Sequence, residues 1–202
     1  MKTIEQVKKL ASASGAICSS QEIWEAGIRP RDFYALVRDG QVTKLARGLY
    51  AVPCDEAPGY PDLIVAARLF PRGVVCLLSA LYHHGLTTQI PHAVDMAIKQ
   101  HDQPPRPLPA HPPIQVYWFS EPAYAAGIET IMLDGLPVRI YNREKTLVDI
   151  FKYRNKLGLD TALEALRLYK QQTSHPSISK ILEFARACRV EKTMRPYLEA
   201  IL

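Results

Sequence analysis

The segment QHDQPPRPLPAHPPI, residues 100–114, carries six prolines. Each fixes φ and removes a backbone N–H, so a regular helix is excluded there and an extended, exposed loop is favoured. The strand-like runs AVDMAIK and IQVYWFS stand on its two sides. The segment is therefore expected to be an insertion or lid between strands, and the structured runs before and after it are read separately.

The first run opens with a helix predicted over 3–13, in which Ile4, Val7, Leu10 and Ala11 recur at helical spacing. After the short apolar AIC, Ser19 is followed three residues later by Glu22, the signature of a capping box. The helix it starts is expected to pack Ile23, Trp24 and Ala26 inward, and Gly27 supplies the next turn. Pro30 suits the first position of a third helix, 30–39, with Phe33, Leu36 and Val37 as its buried stripe. Its outer stripe is Arg31, Tyr34 and Arg38. Gly40 stops that helix, and RDGQVTKLARGLYAVP then reads as two short strands joined by a turn with Arg47 near its tip. Val42, Leu45, Leu49 and Val52 are assigned to scaffold, and Trp24, Phe33 and Tyr50 to core. Three helices and a hairpin in this order describe a winged helix-turn-helix with the third helix as recognition helix.

CDEAPGYP, residues 54–61, has linker composition and divides the chain into 1–53 and 62–202. Beyond it, DLIVAARLF reads as a helix. GVVCLLSALYHHGL reads as a short strand or loop entering a helix near residues 78–84. AVDMAIK, IQVYWFS, IETIMLDG and LPVRIYN read as strands, the last two joined at Asp134-Gly135. From Arg143 the pattern is helical, with further helices over about 160–171, from Pro176 and from Glu191. The fold class expected is α+β: a winged helix-turn-helix, then a mixed α/β domain with a helical C-terminal part.

No apolar run approaches the roughly 18–20 residues of a membrane span. Glu5 and Gln6 interrupt the segment where a signal peptide needs its apolar core. Cys18, Cys54, Cys76 and Cys188 are scattered, unlike paired zinc ligands or a dense disulfide framework, which fits a reduced, cytoplasmic protein. The net charge of +5 is unevenly placed. Residues 1–53 hold 8 basic and 5 acidic side chains, 54–139 hold 5 and 8, and 140–202 hold 12 and 7. The ends are basic and the middle acidic, as expected of ends that meet phosphate.

Motifs of catalysis are absent: no Gly-rich phosphate loop, no HExxH, no nucleophile elbow. No catalytic, cofactor or metal role is expected of any residue. His83 and His84 are adjacent, so on a helix they diverge by about 100° and do not share one ion easily. Lys145 and Asp149 stand one turn apart, an ion pair worth on the order of a few tenths of a kcal/mol on a helix surface. A hydrolase-type reading would require Ser79, His83, His84, Lys145 and Asp149 to converge in a cleft.

The basic residues of the first domain are better placed. Arg29 and Arg31 at the start of the third helix suit base edges or nearby phosphates, and Tyr34 and Arg38 extend that face. Arginine's planar fork pairs with guanine or clamps a phosphate. Lys44 and Arg47 on the hairpin reach the DNA backbone or minor groove, and Ser19, Ser20 and Gln21 open the second helix toward phosphate. The competing use of such a module is protein docking without specific DNA binding.

Three pieces of the chain, GAICSSQEIWEAGIRPRDFYALVRDGQVTKLARGLYAVP, CLLSALYHHGLTTQIP with VDMAIK, and LPVRIYNREKTLVDIFKYRNKLGLDTALEAL, resemble the AbiEi-type antitoxins, the transcriptional-repressor halves of type IV toxin-antitoxin and abortive-infection systems. The resemblance implies a winged helix-turn-helix on operator DNA, bound as a homodimer or as cooperative monomers. It further implies a C-terminal domain that counters a nucleotidyltransferase-like toxin, without requiring a stable complex with it. It places the DNA-reading surface on Arg29, Arg31, Tyr34, Arg38, Lys44 and Arg47. Its central blocks fall on Ser79, Ala80, His84, Gly85 and Leu86, and on Glu144, Lys145, Thr146 and Asp149, where Lys145 and Asp149 are expected to brace the helical end against the sheet. A basic C-terminal face, Lys152, Arg154, Lys156, Lys170, Lys180, Arg186, Arg189, Lys192 and Arg195, is expected to meet DNA backbone or an acidic toxin surface.

Overall fold

A computed structural model describes residues 2–12, 16–53 and 59–201. The chain is mixed helix and strand with two sheets, and it divides into two units. The first comprises 1–69, 105–114 and 131–138; the second comprises 70–104, 115–130 and 139–202. Most of the linker-like stretch, 54–58, lies outside the described residues.

In the first unit, α1 (Lys2–Ser12) is followed by β1 (Ile17–Ser19), α2 (Ser20–Glu25), α3 (Pro30–Arg38), β2 (Thr43–Ala46) and β3 (Leu49–Ala51). The apolar AIC thus becomes a strand: Ile17, Cys18 and Ser19 pair antiparallel with Ala51, Tyr50 and Leu49, placing β3 between β1 and β2. Only pairing with the distant hairpin fixes those three residues as strand. The capping box forms as expected. Ser19 Oγ accepts from Glu22 N at 3.2 Å and Glu22 Oε2 accepts from Ser19 N at 2.7 Å. Val7, Ala11, Ile23, Ile28, Phe33, Val42, Tyr50 and Val52 make one core. Trp24, Leu36 and Val37 pack on it half-buried, while Ala26, expected inside, is exposed. Then α4 (Pro61–Leu69) returns to the start of the unit, where Arg68 Nη1 lies 2.7 Å from Glu22 Oε1. Burial alone would raise the Glu22 carboxyl, but the Ser19 N–H and the Arg68 guanidinium hold it below its ordinary range.

Beyond α4 the chain runs through β4 (Val74–Val75), α5 (Leu77–His83), β5 (Val94–Lys99), β6 (Ile114–Phe119), α6 (Glu121–Ala125), β7 (Ile128–Leu133), β8 (Leu136–Tyr141) and α7 (Arg143–Lys152), most of it in the second unit, with 131–138 of the β7–β8 hairpin grouped with the first. Then come α8 (Arg154–Leu157), α9 (Leu159–Gln172), α10 (Ile178–Ala187) and α11 (Glu191–Ile201). The strands form one sheet in the order β6-β5-β4-β8-β7, with β4 antiparallel to β5 and parallel to β8. Asp134 and Gly135, at φ 46° and 79°, make the β7–β8 turn; both positive values match the two-residue hairpin that an Asp-Gly pair favours. Residues 100–113 hold neither helix nor strand. No helix among the described residues is long and apolar enough to cross a membrane.

The central element is α7. Asn142 caps it, its side chain accepting from Lys145 N at 2.9 Å, and residues 145–151 are all buried. It packs against α5, α9 and α10, so over 145–151 it has no solvent face and its apolar residues run around the helix. The expectation of a surface Lys145–Asp149 pair is therefore corrected: both side chains are wholly buried, and Nζ lies 2.6 Å from each carboxylate oxygen. The i,i+4 spacing identified the partners; enclosure by three helices decided their environment.

Candidate nucleic-acid interface

Helix α3 begins with Pro30, whose missing N–H costs nothing in the first turn. Phe33 faces inward, wholly buried, so the opposite side carries Arg31, Tyr34 and Arg38 into solvent. The face is less uniformly cationic than the residue types suggest. Arg29 places Nε and Nη2 each 2.9 Å from Asp32 Oδ2, and Arg38 Nε lies 3.5 Å from Asp39 Oδ1. The three-residue spacing of Arg29 and Asp32 was a readable signal of that pairing. Tyr34 is half exposed, its ring against Trp24 and Phe33. Burial, reinforced by the Tyr34 hydroxyl, pushes the Tyr50 phenol up to about 12.

The hairpin is fastened to the second helix at its turn. Gly48 adopts φ +73°, its carbonyl accepts from Ser20 N at 2.8 Å, and a Cβ there would approach Ser20 Oγ to 3.2 Å. A shift in pairing between Lys44 and Ala46 bends β2 just before this turn. Arg47 is thereby set beside the start of α2, and Lys44 and Arg47 are both exposed. The expected phosphate donors at that helix start are partly spent. The Ser19 and Ser20 amides are bonded within the unit, and Gln21 Nε2 donates to Glu25 Oε1 at 2.8 Å. Among the described residues neither the Ser19 nor the Ser20 hydroxyl donates a hydrogen bond. Among the described residues Arg31, Lys44 and Arg47 have no carboxylate partner. Like the exposed Lys8 and Lys9 of α1, they can meet an external anion without displacing a carboxylate first, and unlike those two they stand on α3 and the hairpin.

Four of the five residues of the hydrolase-type reading, Ser79, His84, Lys145 and Asp149, are engaged in holding backbone and core. Ser79 Oγ donates to Ala93 O and accepts from Asp95 N, joining α5 to β5, and His84 Nε2 lies 2.7 Å from Tyr141 O. Burial lowers the pKa of both His83 and His84. Lys145 sits over the Tyr141 and Phe119 rings, 4.0 and 4.9 Å from their centroids, as well as on Asp149. Burial pulls the Asp149 carboxyl up while Lys145 opposes it. Among the described residues no three His, Cys, Asp or Glu side chains converge on a metal position.

The basic C-terminal face also divides on inspection. Arg186 and Arg195 pair with Glu191, Lys180 lies 3.8 Å from Glu144, and Lys170 donates to the Ile201 carbonyl. Lys152, Arg154 and Arg189 instead line one cavity.

No protein family and no curated protein matches the chain in sequence. Among solved structures it is similar in fold to the RV2827C protein from Mycobacterium tuberculosis. That crystal structure is 17% identical, with a TM-score of 0.53, covering 98% of this chain and 81% of the other.

Proposed function

We propose that the first unit is a winged helix-turn-helix, with α3 as recognition helix and the β2–β3 hairpin as wing. On this reading the protein represses its own operon in the cytoplasm as the antitoxin of a type IV toxin-antitoxin system, opposite a nucleotidyltransferase-like toxin. The observation that carries the reading is the exposure of Arg31, Lys44 and Arg47 without carboxylate partners, on a recognition-type helix and on a hairpin fastened to the helix before it. Arg31 serves base edges or phosphate at the N-terminal end of α3, and Lys44 and Arg47 serve the flanking backbone. Arg29 and Arg38 contribute after exchanging Asp32 and Asp39 for phosphate, so their share of the affinity is smaller.

The test is a titration of labelled upstream DNA at near-physiological salt, against scrambled DNA. Arg31→Ala and Arg47→Ala each weaken upstream binding by about tenfold, a loss of about 1–3 kcal/mol per contact. Thermal unfolding stays unchanged, because both side chains are exposed. Unaltered affinity in both variants contradicts the reading.

A further inference from the structure

The second unit contains a cavity of about 480 Å³ between the start of α6, the end of α7 and the α10–α11 junction. Its cations are Lys152, Arg154 and Arg189, and no Asp or Glu is among its lining residues. Among the described residues none of the three is in an ion pair; Arg154 spends one Nη1 bond on the Phe151 carbonyl and Lys152 lies over the Phe119 ring. Three neutral donors join them. Ser120 precedes α6 without capping it through its side chain, and the Gln100 side-chain amide and Thr193 hydroxyl form no hydrogen bond among the described residues, the Gln100 backbone N–H donating to the Phe119 carbonyl. Arg189 is held at φ +58°, a backbone conformation costly for an arginine, at the junction that turns α10 into α11.

We propose that this cavity is a binding site for a small phosphorylated ligand, a nucleoside polyphosphate or inorganic polyphosphate. The charge and donor set match this class: a terminal phosphate carries about two negative charges near neutral pH and offers three acceptor oxygens. Two guanidinium forks and an ammonium neutralise more than one phosphate group, and hydroxyl and amide donors complete the oxygens. The volume lies within the roughly 300–1,000 Å³ of small-ligand sites, whereas a lone phosphate would leave most of it unfilled. The site has this chemistry whether or not the first unit reads DNA. Of the carboxylates nearby, Asp149 lies 3.7 Å from the lining Cys188 Sγ and is paired with Lys145, while Glu121 and Glu191, next in sequence to lining residues, are paired with Lys99 and with Arg186 and Arg195.

The experiment is calorimetric titration of the full chain with inorganic phosphate, pyrophosphate, tripolyphosphate and ATP. Saturable one-to-one binding of pyrophosphate or a longer phosphate is expected, with orthophosphate at least about tenfold weaker. ATP binding more tightly than tripolyphosphate identifies a nucleotide as the ligand; equal affinity identifies the polyphosphate. Arg189→Gly removes one fork and relieves the positive φ, so it stays folded while weakening binding by about tenfold; Lys152→Gln does the same. Lys192→Gln, exposed and outside the cavity, leaves affinity unchanged. No saturable binding to any of the four ligands, or undiminished binding by both cavity variants, overturns the proposal. So does stoichiometric displacement of bound polyphosphate by unrelated duplex DNA, which would give the site to nucleic acid. Loss of operator binding in the Arg31 and Arg47 variants reads a different unit, so the two accounts fail separately.

Discussion

The Lys145–Asp149 pair carries the largest residue-scale consequence. With both charges wholly buried, the ion pair is stable only as a pair, helped by the Tyr141 and Phe119 rings around the ammonium. Lys145→Met leaves an uncompensated carboxylate and costs about 3–5 kcal/mol in denaturant unfolding, whereas K145M/D149L recovers most of that loss. A surface pair would lose only tenths, so the two outcomes are well separated. Asp95 gives a pH signature. Burial, against hydrogen bonds from Ser79, Leu78 and Tyr117, raises its carboxyl to about 6 from an ordinary 3.8. The native chain therefore binds this proton more tightly than the unfolded chain. The stability it contributes is full below its ordinary pKa and is lost as pH rises through about 6. Asp95→Asn removes this slope, so the stability gap between variant and parent changes by about 3 kcal/mol from acid to neutral pH. A parallel pair of pH–stability curves would contradict the assignment.

At the scale of elements, local signals served wherever the partner lies within one turn. Ser19 and Glu22 announced α2, Pro30 announced α3, and Asp134-Gly135 announced the β7–β8 turn, because each acts on backbone within three residues of itself. The capping box is measurable: Ser19→Ala costs about 1 kcal/mol of stability by thermal unfolding, in contrast to the silent Arg31→Ala. Elements defined by distant partners were not legible. Ile17–Ser19 becomes a strand only against Leu49–Ala51, and the end-on fastening of the hairpin through Ser20 and Gly48 joins residues almost thirty apart. The start of α6 at Ser120 carries no side-chain cap and left no pattern to follow. Helix α7 shows the same limit inverted: its registry was readable, but its seven consecutive buried residues follow from the helices that cover it.

At the scale of the whole molecule, the candidate site was legible as residue types and less so as charge. Arg31, Lys44 and Arg47 are exposed as expected, while Arg29 and Arg38 have carboxylates alongside, so the positive face is narrower than the arginine count implies. The basic C-terminal third resolved differently. Four of its cations are spent on Glu191, Glu144 and the Ile201 carbonyl, and three meet in a cavity that no linear spacing reveals, since residues 152, 154 and 189 come from separate elements. The central claim is that the first unit reads DNA through Arg31 and the hairpin cations. It is tested most directly by measuring the affinity for upstream DNA across a range of salt concentrations, for the parent chain and for Arg31→Ala and Arg47→Ala. The account predicts preference over scrambled DNA, an affinity that falls steeply with salt, and a salt slope shallower by about one in any variant whose arginine meets a phosphate. Equal affinity for upstream and scrambled DNA, with both variants indistinguishable from the parent at every salt concentration, would contradict it.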